Sequence, residues 1–184
     1  MAFAMKKKMS PILCCLMLAG VAAGQDFSVA KRQSVTFEPP PITAVYRGRP
    51  NRVELQFRVN SGYHINSNQP KQEYLKKTEL KMDPPTDIAI EKVSYPAGED
   101  RSFPFAADEK INVYTGDFAV NVTVRPLKTV LPAKYAVHGT LKYQACDNAA
   151  CYPPKQLPVS FEVKVLKAPA PKKRNPAQSP PPHG

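Results

Sequence analysis

At 184 residues the chain has the length of one domain. Its formal net charge is +11, but three lysines near the start and four basic residues near the end leave about +4 for the stretch between Gly24 and Leu166. A body this mildly basic gives no reason to propose nucleic-acid binding.

Lys6, Lys7 and Lys8 precede an apolar run from Met9 to Val21, and small residues follow at Ala22, Ala23 and Gly24. That order is the layout of a secretory signal peptide, with cleavage expected near Ala23-Gly24. The run is shorter than the ~20 residues that span a bilayer. Cys14 and Cys15 lie early in it, close to the lysines, which is the wrong end for a lipid-accepting cysteine. The expected organisation is a leader at 1–24, a domain at 25–166 and a tail at 167–184. No later segment reaches 18 consecutive apolar residues, so no transmembrane segment is expected after leader removal. The expected location is periplasmic or secreted.

The body reads as a β protein. Val53, Leu55, Phe57 and Val59 alternate with Glu54, Gln56 and Arg58, the period-2 pattern of a half-buried strand. The alternation returns at Phe118, Val120, Val122 and Val124. It appears again at Val137, Gly139, Leu141 and Tyr143, and at Val159, Phe161, Val163 and Val165. Shorter strand candidates are Val35 to Phe37, Leu80 to Met82, Ile88 to Val93 and Ile111 to Tyr114. Breakers such as Pro39-Pro40-Pro41, Ser61-Gly62, Pro84-Pro85 and Thr115-Gly116 separate them. Gln72 to Lys77 invites the one helical turn. Seven or eight short strands predict an all-β antiparallel sandwich. From Lys167 the chain is basic and proline-rich, the composition of a disordered, partly extended tail.

With the leader removed, Cys146 and Cys151 are the cysteines that remain, in a compartment where disulfides persist. A strand enters through Leu141 and Tyr143, four residues separate the cysteines, and Tyr152-Pro153-Pro154 leads to the outgoing strand. Asp147 and Asn148 are turn formers, so the two sulfurs can meet at bonding distance. The pair is then either a structural staple or a redox-active disulfide. Closing a ring of about six residues stabilises by only about 2 kcal/mol, and loops at the end of a rigid sandwich carry function. The residues alone leave the two readings open. A zinc site wants four ligands, and the mature chain offers two thiols with His64 and His138. A copper(I) site favours thiolates and thioethers, and Met82 is the one methionine beyond the leader. Neither metal nor organic cofactor is expected. A cysteine hydrolase would need a histidine base beside a free thiolate. Asn121-Val122-Thr123 matches a glycosylation acceptor but lies in a predicted strand.

The string YQACDNAACYPP, Tyr143 to Pro154, resembles the amino-terminal periplasmic domain of the bacterial thiol:disulfide interchange protein DsbD. SGYHINSNQP, Ser61 to Pro70, is a weaker echo of it. The resemblance implies an immunoglobulin-like sandwich with a redox-active pair that takes electrons from a membrane thiol–disulfide protein and passes them to thioredoxin-like proteins. It implies that Cys151 forms the mixed disulfides and Cys146 resolves them. It also implies a capping phenylalanine, for which Phe103 and Phe105 in RSFPFAADE are the candidates, with Tyr143 and Tyr152 flanking the pair. The spacing departs from the family's best-known member, which has five residues between its cysteines where this chain has four. The family domain is usually fused to a transmembrane and a thioredoxin-like domain; a stand-alone version meets its donor by diffusion. In this reading the pair carries the electrons itself, in a protein-disulfide-reductase-like exchange. Lys142 and Lys155 favour thiolate and Asp147 opposes it. The rival reading is a non-catalytic exported protein-binding sandwich whose Cys146–Cys151 disulfide is structural.

Overall fold

The computed structural model describes residues 33–167; the expected leader and most of the expected tail lie outside the described residues. Twelve strands run in chain order. They are β1 (Val35–Glu38), β2 (Thr43–Tyr46), β3 (Asn51–Val59), β4 (His64–Asn66), β5 (Glu79–Asp83) and β6 (Ile88–Ser94). The second half holds β7 (Glu99–Phe103), β8 (Ala106–Tyr114), β9 (Asp117–Pro126), β10 (Lys134–Tyr143), β11 (Ala145–Cys146) and β12 (Lys155–Leu166). The all-β class expected from the sequence is what forms. The strand number is larger, because four short strands carry no readable alternation. Gln72 to Lys77 makes turns rather than a helix, with the Leu75 amide donating to the Gln72 carbonyl at 3.2 Å.

Two four-stranded sheets, in the orders β1-β3-β9-β6 and β2-β12-β10-β5, form the sandwich. The alternating strands supply its core from both sides. Val53, Leu55, Phe57, Val120 and Val122 of one sheet share a buried cluster with Val137, Leu141, Phe161 and Val163 of the other. Phe57 sits at its centre, with ring centroids 5.1 Å from Phe37 and 5.3 Å from Phe118. Each such side chain contributes about 1.5–3 kcal/mol by leaving water. Gly139 faces β5 at close quarters: a Cβ there would lie 2.7 Å from the Lys81 carbonyl oxygen. A side chain at that point would push β5 and β10 apart.

One pairing corrects the purely antiparallel expectation. β2 runs parallel to β12, in register from Val163 opposite Thr43 to Leu166 opposite Tyr46. The cause lies in Pro39, Pro40 and Pro41, which cannot donate to a ladder. They end the antiparallel pairing of β1 with β3, and the chain resumes on the edge of the opposite sheet.

A third sheet, in the order β11-β4-β8-β7, was not foreseen as such. It begins where the chain turns through Asn60 and Gly62, the latter at φ 84°, a conformation that glycine adopts without a Cβ penalty. β10 ends at Tyr143, and two residues later the chain pairs with β4 instead of β5. That switch carries the cysteines onto the third sheet.

Candidate functional site

The site is a hairpin closed by a Cys146–Cys151 disulfide, with the two Cα atoms 3.9 Å apart. Its backbone is fixed on both sides of the bond. The Tyr152 amide donates to the Ala145 carbonyl at 2.8 Å, and the Asp147 amide donates to the Ala150 carbonyl at 2.9 Å. Asp147 organises the four-residue turn, its Oδ1 accepting from the amides of Ala149 at 2.8 Å and Ala150 at 2.9 Å. Aspartate suits this place because its short side chain satisfies amides two and three residues on. Its Oδ2 accepts from the Tyr152 hydroxyl. That bond from Tyr152, then the two amides, holds the Asp147 carboxyl below the usual carboxylate range. The same bond raises the Tyr152 phenol.

The two cysteines do not share one environment. Cys146 belongs to β11 and is 1% exposed, whereas Cys151 lies on the exposed side of the hairpin. Exchange rates depend on which sulfur an incoming thiolate can reach, so this difference in exposure bears on the chemistry.

Aromatic rings stack on His64, the cross-strand partner of Cys146. Phe103, at the end of β7, stacks on the His64 imidazole with ring centroids 3.8 Å apart. Phe105 continues the stack 5.5 Å beyond Phe103. The tight turn between β7 and β8 produces this, pairing Phe103 with Ala106 and leaving Phe105 39% exposed. Both phenylalanines singled out from the sequence therefore converge on the cysteine sheet through His64. Tyr152 packs edge-on to Tyr63, with centroids 6.0 Å apart, and stands beside the turn. Tyr143 points into the sandwich core instead, 3% exposed, its hydroxyl accepting from Ser34 Oγ at 3.4 Å. His138 is exposed on β10 and pairs with Asp83, in the sandwich rather than on the third sheet.

His64, weighed from the sequence only as a metal ligand, turns out to stand beside the pair, a placement that sequence reasoning missed. It lies on β4 directly opposite Cys146, so the two side chains leave the same face with Cβ atoms about 4.5–5.5 Å apart. The signal was present in SGYHINSNQP, but nothing local in that string tells of a partner 82 residues away. His64 is 3% exposed, and its Nε2 is buried with no hydrogen-bond partner among the described residues. Burial first, opposed by Asp147 and reinforced by Arg101, pushes the imidazole down to about 4 from 6.5.

A stability prediction follows from that direction. Between about pH 6.5 and 4 the unfolded chain binds a proton at His64 that the folded chain does not. Folding stability contributed by the neutral ring is therefore full above about pH 6.5 and is lost as pH falls toward 4. The size is about 3 kcal/mol at most, at 1.36 kcal/mol per pKa unit. Urea unfolding at pH 7.5 and pH 4.5 checks it. His64→Phe is expected to lose much less stability between these two pH values than the wild type.

The fold and site define a class: a β-sandwich domain that presents, among the described residues, one two-cysteine disulfide, with Cys146 buried and Cys151 exposed. The chain belongs to the family described as thiol:disulfide interchange protein DsbD, N-terminal, which it matches over residues 34–162. That match runs from the start of β1 into β12 and takes in strands of all three sheets. Thiol–disulfide exchange is the chemistry of this family. No curated protein matches the chain. Among solved structures, the DsbD N-terminal domain of Neisseria meningitidis in its reduced form is 22% identical. That alignment covers 60% of this chain and 76% of the other, with a TM-score of 0.37. The complex of the DsbD and PilB N-terminal domains from the same organism gives 22% identity, 59% and 73% coverage, and 0.38. The SrpA adhesin of Streptococcus sanguinis is similar at 14% identity, covering 73% of this chain and 56% of that one, with a TM-score of 0.33. Membership rests on the residue match across 34–162.

Among the described residues no helix is long and apolar enough to cross a membrane.

Proposed function

We propose that this chain is an exported electron shuttle that works through Cys146 and Cys151. The observation that supports this best is the unequal exposure of the two cysteines in one short hairpin. In the reductive half, a donor thiolate attacks Cys151 Sγ, the Cys146–Cys151 bond breaks, and the Cys146 sulfur leaves with the electron pair. A second donor thiolate then displaces Cys151, so the donor becomes a disulfide and the pair becomes a dithiol. In the oxidative half the Cys151 thiolate attacks an acceptor disulfide. Cys146 then closes on Cys151 and releases the acceptor's second thiolate.

The donor is a membrane-associated thiol–disulfide protein and the acceptors are thioredoxin-like. The solved complex of the DsbD and PilB N-terminal domains from Neisseria meningitidis is in keeping with this reading. The work takes place in the periplasm, after a leader at 1–24 is removed. The domain comprises 25–166, followed by a basic proline-rich tail. Phe103 and Phe105 cap the buried side of the pair, and Tyr152 orders the turn through Asp147.

A binding module with a structural disulfide is the competing function. The Cys146→Ser/Cys151→Ser double variant separates them. Shuttling predicts complete loss of electron transfer to a thioredoxin-like acceptor with the β-sheet circular dichroism unchanged. Persistence of transfer would exclude the pair as the carrier.

A further inference from the structure

We infer that His64 is the proton carrier for Cys146, the group that takes the resolving thiol's proton as the disulfide closes. The inference deepens the exchange reading and rests on it. Three observations carry it. His64 and Cys146 are direct cross-strand partners on β4 and β11, which puts imidazole and sulfur within side-chain reach. Both are buried, at 3% and 1% exposure, so water has poor access to the Cys146 sulfur. Finally, the His64 Nε2 is a buried polar atom with no hydrogen-bond partner among the described residues. Leaving such an atom unpaired is costly, because its desolvation goes uncompensated. An oxidised Cys146 has no proton to donate to it. A reduced Cys146 has one, so the reduced state supplies the donor that the oxidised state lacks.

The chemistry balances. In the mixed disulfide Cys151 is bonded to the acceptor sulfur, and Cys146 is a thiol. His64 Nε2 takes the Cys146 proton and the resulting thiolate attacks Cys151 Sγ. The Cys146–Cys151 bond forms, the Cys151–acceptor bond breaks, and the acceptor sulfur leaves with the electron pair. It collects a proton, from His64 or from water. The acceptor disulfide gains two electrons and two protons, and the cysteine pair loses the same.

The surroundings suit a carrier that must stay neutral between turnovers. Phe103 covers one face of the ring and Phe105 lies beyond it. The charged groups that act on it are Asp147 from the hairpin, which favours the imidazolium, and Arg101 from β7, which opposes it. A neutral ring is a base. Once it has the proton, the adjacent Cys146 thiolate stabilises the cation by direct charge pairing.

The test uses the reduced protein, oxidised glutathione as the acceptor, and the rate of Cys146–Cys151 closure followed from pH 5 to 9. His64→Phe keeps the aromatic stack and removes the base. The variant is expected to close at least about tenfold more slowly at pH 7. Its rate should then climb about tenfold per pH unit toward the ordinary thiol range near 8.5, while the wild-type rate has already levelled off. A variant that matches the wild-type rate and profile overturns the proton role and leaves the shuttle standing. A wild-type protein that never forms the mixed disulfide overturns both. Because His64→Phe could unfold, the imidazole of wild-type His64 is also titrated by NMR in both redox states. A midpoint that rises on reduction supports the role; an unchanged midpoint overturns it.

Discussion

Cys151→Ser is expected to reduce thiol exchange to the uncatalysed background, whereas Cys146→Ser still forms a mixed disulfide but cannot release it. The difference comes from the hairpin. Cys151 lies on its open side, and Cys146 is buried on β11 opposite His64. On the proposed mechanism, a thiol reaching the surface meets Cys151 in the wild type. With serine at 151 the remaining thiol is buried and has no resolving partner, so neither half-reaction proceeds. With serine at 146 the attack on an acceptor disulfide goes ahead and stops at the covalent complex. Both variants should lose similar stability, about 2 kcal/mol for opening a ring of roughly six residues. Trapping with a thioredoxin-like acceptor, read as a mass increase on non-reducing gels, distinguishes them. A covalent adduct with Cys151→Ser and none with Cys146→Ser would reverse the roles.

Phe57→Ala should be the most destabilising single change in the sandwich, by about 3–5 kcal/mol. Phe57 is 2% exposed on β3 and bridges Phe37 on the edge strand and Phe118 on β9. Truncation removes a ring from the middle of that row, and strands held by ladders on both sides cannot collapse into the space. Domains of this size have only about 5–15 kcal/mol in total, so the variant would be marginal. Urea unfolding gives the value, and the chemistry of the remaining folded fraction should be unchanged, because Phe57 lies in the sandwich and not on the third sheet. A loss under about 1 kcal/mol would mean that the core repacks around the gap.

The sandwich was legible because half-buried strands print their period in the sequence. β3 and β9 bury every second residue along most of their length, β12 does so from Val159 to Val165, β10 buries Val137, Leu141 and Tyr143 in the same phase, and each is nine residues or longer. The third sheet was not legible, for different reasons in each strand. All three residues of β4 are buried, so it shows no alternation. β7 reads Glu-Asp-Arg-Ser-Phe with four exposed positions, which resembles a loop. β11 has two residues. The cysteine hairpin was visible from its turn formers and its proline exit. Its neighbours were not, since Cys146 pairs with His64, and His64 stacks on Phe103, only through pairings between strands far apart in the chain. The parallel β2 was hidden because strand direction relative to a distant partner leaves no mark on a four-residue segment.

The reduction potential of the Cys146–Cys151 disulfide tests the shuttle most directly. The protein is equilibrated against defined thiol buffers and the oxidised fraction is measured after rapid alkylation. Exchange proteins lie between roughly −270 and −120 mV, whereas structural disulfides of secreted proteins fall below about −300 mV. The account predicts a value in the upper range, reached with the sandwich intact. A value well below about −300 mV, or a bond that opens only on unfolding, would contradict it and make the disulfide a staple.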